Sequence, residues 1–276
     1  MAHMPDSDRV LPIRRLGRRR GFMNILRNLF GGSGTGTQPF VPEGLRIYAV
    51  GDIHGRMDLL QALNEKIRRD LESRPVEESI AIFLGDYTDR GAESRAVIDY
   101  LASGQSVCDS RLCLRGNHDQ IFLSFLDDPS VLLDWRDLGG LETLYSYGVS
   151  PPMNRDPEEM ARCQERFLEV VPDEHVAFLE DLPLKAEFGT YLFVHAGINP
   201  GKDLDHQHED DLLWIRDPFL TSRRDFGVIV VHGHTPHAEY EHLPNRINVD
   251  TGAVLSGRLT CAVLEGDSVG FLQTGG

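Results

Sequence analysis

Paired cysteines are missing. The four cysteines, Cys108, Cys113, Cys163 and Cys261, include no C-x-x-C pair and form no disulfide-like framework. They fit reduced, buried thiols in a cytoplasmic protein. No apolar run approaches the roughly 20 residues that a bilayer-spanning helix needs. No long apolar core precedes a cleavage site, so no secretory signal is visible. Positive charge is also scarce, with 28 Lys+Arg against 43 Asp+Glu. The shortage is uneven. Residues 1–44 hold seven Arg and three acids, and the remainder carries a net −19. So acidic a body argues against non-specific nucleic-acid binding, and bound cations would neutralise part of it. No internal repeat is evident.

What the chain does contain is a series of apolar runs, each ending in a polar cluster. Arg46-Ile47-Tyr48-Ala49-Val50 leads into Gly51-Asp52-Ile53-His54-Gly55. Ile80-Ala81-Ile82-Phe83-Leu84 leads into Gly85-Asp86-Tyr87-Thr88-Asp89-Arg90-Gly91. Leu112-Cys113-Leu114-Arg115 leads into Gly116-Asn117-His118-Asp119. Tyr191–Val194 ends in His195-Ala196-Gly197, and Val228–Val231 ends in His232-Gly233-His234-Thr235-Pro236. Such runs read as buried strands, and open α/β sheets place ligands at strand C-terminal ends. All five clusters are therefore expected at one edge of one sheet. Carboxylate, amide oxygen and imidazole suit a divalent metal, and their number points to two metals sharing a carboxylate.

The first half reads as βαβ units with a largely parallel sheet. Helices are expected after Leu45–Val50, near Glu93–Ala102 and near Gln120–Leu126. Residues 127–181 read as an inserted helical cap, broken at Gly139-Gly140 and at the aromatic-rich Leu144–Gly148. Trp135 is assigned to the core of that cap. After Leu182 strands dominate, with hairpin turns at Phe188-Gly189-Thr190 and Gly266-Asp267-Ser268. They are expected to form a second sheet. The fold class is thus α/β, an α+β sandwich of two mixed sheets flanked by helices. Residues 1–44 read as a basic, disordered arm with the glycine-rich linker Gly31–Thr37, set apart from a domain at 45–276. A sharper alternative for residues 9–30 is a weak contact with an anionic membrane surface or a partner.

Each cluster alone has a plain reading. Asp52 and His54 could cap a helix, Asp89-Arg90 could be a surface ion pair, and a lone His195 or His234 is usually structural. Their joint occurrence at five strand ends is what the plain readings leave unexplained.

The combined series G-D-x-H-G, G-D-x-x-D-R-G, G-N-H-[DE], H-A-G and G-H-T-P resembles the metal-dependent phosphoprotein phosphatases. Their bacterial and phage branch, within the calcineurin-like metallophosphoesterases, is the nearest match. The resemblance runs from about Leu45 to Leu264 and includes Asp211–Arg216 and Asn248–Val254. It implies that Asp52 and His54 hold one metal, Asp86 bridges, and Asn117, His195 and His234 hold the second. His118 would be the general acid oriented by Asp89. Arg90 and Arg216, with Asn117, would bind the substrate phosphate. His232 receives no role beyond a structural one.

The cofactors implied are two divalent ions, manganese first, with iron or zinc as alternatives. The implied reaction is phosphoprotein hydrolysis by a hydroxide shared between the metals, and the partner a phosphoprotein or phosphopeptide. Asp119 departs from the usual Glu, and Thr88 from the usual apolar residue. Asp119 and His195-Ala196-Gly197-Ile198 also occur in related diadenosine tetraphosphate hydrolases, which supply the alternative substrate class. Those relatives typically lack an acid at the Asp89 position, which favours the phosphatase reading. An idle fold kept as a binding module ranks last, because the ligand set is complete.

Overall fold

A computed structural model describes residues 36–275. The basic segment 9–30 and the start of the glycine-rich linker lie outside the described residues. The chain runs β1 (Leu45–Val50), α1 (Met57–Ser73), β2 (Glu78–Phe83), α2 (Ser94–Ala102), β3 (Ser110–Cys113) and α3 (Asn117–Asp127). Four helices follow: α4 (Leu132–Leu138), α5 (Gly140–Ser146), α6 (Pro157–Val170) and α7 (Asp173–Glu180). Then come β4 (Lys185–Phe188), β5 (Tyr191–Val194), α8 (Glu209–Trp214), β6 (Ile229–His232), β7 (Glu241–Leu243) and β8 (Arg246–Asn248). The short α9 (Ala253–Ser256), β9 (Thr260–Glu265) and β10 (Ser268–Gln273) close the chain.

Two five-stranded mixed sheets result, ordered β10-β9-β1-β2-β3 and β4-β5-β6-β8-β7. In the first sheet β1, β2 and β3 are parallel out to the β3 edge and β9 and β10 add antiparallel on the other side, whereas in the second the parallel β5, β6 and β8 are flanked by antiparallel β4 and β7. The period-two alternation of strand side chains sorts the apolar runs onto two faces. Ile47, Ala49, Ile80 and Ile82 meet Tyr191, Phe193, Ile229 and Val231 between the sheets. Tyr48, Val50, Ala81 and Phe83 face α1 to α3 on one outer side, while Leu192, Val194 and Val230 face α8 on the other. Both faces are covered, which is why the runs read as continuously apolar.

The 127–181 segment is helical and packs behind α2 and α3. Its centre is an aromatic cluster of Phe122, Phe125, Trp135, Tyr147 and Phe167. Trp135 is fully buried there. Truncating such a side chain costs about 3–5 kcal/mol.

Four expectations need correction. The five polar clusters sit at the ends of strands from two sheets, not one. β9 and β10 join the first sheet rather than the second, because β9 pairs antiparallel with β1. Leu144–Ser146 lies inside α5, so the second break falls at Tyr147-Gly148, where Gly148 has φ 83°, and the first at Gly139, where φ is 101°. Residues 37–44 do not belong to a loose arm. Val41 is buried between the sheets, its N–H donates to Gly266 O at 2.7 Å, and Phe40 N–H donates to Thr190 Oγ1 at 2.9 Å.

Candidate metal centre

The loops after β1, β2, β3, β5 and β6 converge at one end of the sandwich. Among the described residues, the non-glycine residues with positive φ are His54, Asp86, Asp89, Arg90 and His234. Every one of them lies in these loops. Such backbone costs of order 1–3 kcal/mol per residue, and it collects where geometry serves a site. Two glycines leave room for carboxylates. A Cβ on Gly116 would lie 2.2 Å from Asp86 Oδ1, and one on Gly233 would lie 2.1 Å from Asp52 Oδ1.

Asp86 stands at the centre. Its Oδ2 is 3.4 Å from His54 Nε2 and 3.9 Å from His118 Nε2. Its Oδ1 is 3.4 Å from His195 Nε2 and accepts the His118 backbone N–H at 3.0 Å. Potential ligand atoms of His54, Asp86 and His118 lie within 4.8 Å of one another, as do those of Asp86, His195 and His234. One carboxylate thus serves two clusters.

On the first side, His54 Nδ1–H donates to Thr88 O at 2.7 Å, which leaves Nε2 as the lone-pair atom. Arg90 donates to it at 2.8 Å and to His118 Nε2 at 3.0 Å. The two imidazoles meet edge-on, 4.7 Å apart. A guanidinium here lies against the Nε2 atoms of both imidazoles. His118 Nδ1–H donates to Asp89 Oδ2 at 2.6 Å.

On the second side, His195 Nδ1–H donates to Leu84 O at 3.0 Å. A neutral His195 therefore presents a bare Nε2, 2.8 Å from Asn117 Oδ1, which is also an acceptor. Two lone pairs facing at that distance repel unless a cation or proton sits between them. His234 Nδ1 is 2.9 Å from the same oxygen, and its Nε2 is buried without a partner. This donor set fits a divalent cation.

The electrostatics agree. Burial pushes the His54 and His234 imidazoles down to about 3, and lowers His195, so all three are neutral ligands at neutral pH. Burial also pushes Asp52 well above the carboxylate range, with Asp250 and Asp86 adding to it, and Asp250 itself rises to about 6. Three crowded, buried carboxylates are the arrangement that cations relieve. For His118, burial opposes the charge, but Asp86 and the Asp89 hydrogen bond outweigh it and the imidazole is raised.

The structure brings together Asp52, His54, Asp86, Asp89, Arg90, Asn117, His118, His195 and His234. Asp52 falls outside both tight clusters; its carboxylate accepts the His234 N–H at 3.0 Å. Arg216 is exposed beyond α8 and sends its charge toward His234. His232 is buried beside Phe219, with Nδ1 on Gly233 O. Sequence reasoning missed Asp250, which follows β8 within the Asn248–Val254 run. It also missed the polar roles of Trp135 and Thr143 described below. Asp119 is buried and accepts the N–H groups of Asp86, Tyr87 and Gly116, clamping two loops together.

A buried carboxylate shared by two nitrogen-rich clusters at the ends of a two-sheet sandwich defines a dinuclear metallophosphoesterase. The chain belongs to the calcineurin-like phosphoesterase family, whose model matches residues 45–260. Among curated proteins it is similar to the asymmetrical bis(5'-nucleosyl)-tetraphosphatase PrpE of Anoxybacillus flavithermus, at 29% identity over 76% of this chain and 87% of that protein. The protein of the same description from Bacillus subtilis is 29% identical over the same shares. A crystal structure provisionally described as a diadenosine tetraphosphatase superposes with a TM-score of 0.59 at 20% identity, covering 86% of this chain and 97% of that one. At that identity the likeness concerns the fold. Among the described residues, no helix is long and apolar enough to cross a membrane.

Proposed function

We propose that this metallophosphoesterase hydrolyses dinucleoside polyphosphates, cleaving a tetraphosphate asymmetrically into a nucleoside triphosphate and a monophosphate. The observation that carries this reading is the 29% identity, across 76% of the chain, to proteins named for that reaction. Asp119 and the His195-Ala196-Gly197-Ile198 run support it. This order reverses the preference drawn from Asp89, Arg90 and the Gly-His-Thr-Pro run.

In this reading Asp52 and His54 would hold one divalent ion, Asn117, His195 and His234 would hold the other, and Asp86 would serve both. Manganese is proposed, and iron or zinc would also suit nitrogen and oxygen ligands. When bound, two such ions offset phosphate charge and acidify water. The protein's own groups do the rest. Arg90 and Arg216 present planar donors to phosphate oxygens, and Asn117 borders the same space. His118, held by Asp89, carries a proton on Nε2 to the leaving oxygen.

One observation favours a second reading, phosphomonoester hydrolysis on proteins. A departing phosphate is a weak base and needs little help, whereas an alkoxide or phenolate needs a proton. The buried Asp89–His118 pair at 2.6 Å is suited to supply one. The test offers diadenosine tetraphosphate beside phosphoserine, phosphothreonine and phosphotyrosine peptides to metal-stripped protein restored with manganese(II). Faster dinucleotide cleavage is expected. Faster peptide turnover would install the second reading instead.

A further inference from the structure

The Asp89 carboxylate is fully buried, and none of its oxygens is left to chance. Oδ1 accepts the Thr143 hydroxyl at 2.6 Å. Oδ2 accepts the Trp135 Nε1–H at 2.8 Å as well as His118 Nδ1–H at 2.6 Å. The Asp89 backbone, at φ 73°, donates its N–H to Ser94 Oγ at 3.0 Å and to Thr143 Oγ1 at 2.9 Å. The adjacent Arg90, at φ 65°, donates its N–H to Gly139 O at 3.0 Å. Trp135, Gly139 and Thr143 all come from α4, α5 and their junction. The glycine pair makes that approach feasible. A Cβ on Gly140 would lie 2.4 Å from the Trp135 ring, and one on Gly139 would lie 2.7 Å from Arg90 Cγ.

We infer that Trp135 and Thr143 are positioning residues for the His118 proton donor, acting through Asp89. The plain role of Trp135 is packing, and its ring does pack against Phe122 and Phe125. Its N–H is a separate matter. Donated to Oδ2, it fixes which lone pair remains for His118 and so sets the imidazole plane. That plane aims Nε2 at the space between Arg90 and Asp86, at 3.0 and 3.9 Å. Thr143 anchors the other oxygen and the strained backbone together. A carboxylate held at both oxygens cannot rotate away from the imidazole it orients.

The inference rests on reading His118 as the acid, so the experiment separates the two. Thr143→Val, Thr143→Ser, Trp135→Phe and His118→Asn are compared in full-length, manganese(II)-loaded protein. The substrates are p-nitrophenyl phosphate, whose leaving group needs little protonation, and phenyl phosphate, whose leaving group needs more. Thr143→Val and Trp135→Phe are expected to lose about tenfold in kcat on phenyl phosphate and about threefold or less on the nitrophenyl ester, a fraction of what a general acid supplies. Thr143→Ser is expected to restore the wild-type ratio between the esters. His118→Asn should show the same selectivity, enlarged. Equal losses on both esters for His118→Asn would remove the acid itself. A selective His118→Asn with equal losses, or none, for Thr143→Val and Trp135→Phe would overturn the positioning role. An independent readout uses metal-free protein: the hydrogen-bonded Nδ1–H proton of His118 should resonate far downfield and shift in Thr143→Val. An unmoved resonance would also overturn it.

Discussion

The two sides of Asp86 are built differently. On the second side Asn117 Oδ1 faces His195 Nε2 at 2.8 Å and His234 Nδ1 at 2.9 Å, and among the described residues no arginine is hydrogen-bonded to these atoms. The first side opens outward through Arg90, an exposed residue whose guanidinium reaches in to His54 and His118. The first side joins His54, His118 and an arginine, the groups proposed above to meet the substrate phosphate and its leaving oxygen. The difference also shows in their support. The first side leans on α4 and α5, whereas the second takes Asn117 from the start of α3 and sets His234 beside Trp214 of α8.

The largest effect should come from the group the two sides share. Asp86→Asn is expected to lower kcat/KM by two to three decades or more, the scale of losing one preorganised electrostatic group. Elemental analysis should then find fewer than two metals per chain. Full metal content with full activity would mean that Asp86 does not join the sides.

Next in size are single-side changes. His195→Ala should cost one equivalent of metal and about 10²-fold in activity. Arg90→Lys keeps the charge but loses the planar fork. It should keep both metals while raising KM, with a kcat/KM loss of about ten- to a hundredfold, the range of about 1.5–3 kcal/mol for a charged hydrogen bond. If Arg90→Lys instead released metal, the proposed contrast between the sides would collapse.

Smaller effects should come from the support. Gly139→Ala places a methyl group at φ 101° and against Arg90. It should lower stability by about 1–2 kcal/mol and raise KM, read by urea unfolding and steady-state kinetics. The smallest lies farther out. His175 joins α7 to Tyr147, just after α5, and to Asp99 on α2, and burial lowers its imidazole below the usual 6.5 despite Asp99. A depressed imidazole contributes stability that is present above 6.5 and fades as pH falls. The melting-temperature gap between wild type and His175→Gln should therefore narrow from pH 8 to pH 5. A gap that widened would show that the Asp99 pairing, not burial, governs His175.

Much of this was legible in the chain. Continuous apolar runs ending in Asp, Asn or His are local patterns, and β1, β2, β5 and β6 follow them closely. The hairpin turns at Gly189 and Gly266 carry positive φ, as turn chemistry requires. Other features had no local signature. Leu144-Tyr145-Ser146 looks unhelical, yet α5 forms because Leu144 is buried and Thr143 is fixed on Asp89. β9 reads like any buried strand, and nothing within it says which sheet it joins. Trp135 reads as core, because a buried indole's apolar mass hides the one polar bond it makes.

The sequence by itself determined the chemistry on offer: which side chains stand at strand ends, how many are metal-type ligands, and which glycines let them crowd. Those follow from residue identity and from spacing along a strand or turn. Only the tertiary structure decided that the clusters come from two sheets, that Asp86 faces both sides, and that α4 and α5 hold Asp89 and Arg90. Each of these depends on contacts between residues far apart in the chain, between His195 and Asn117 or Trp135 and Asp89. Such contacts form only when burial of both sheet faces brings the strand ends together, and no short-range pattern encodes which end meets which.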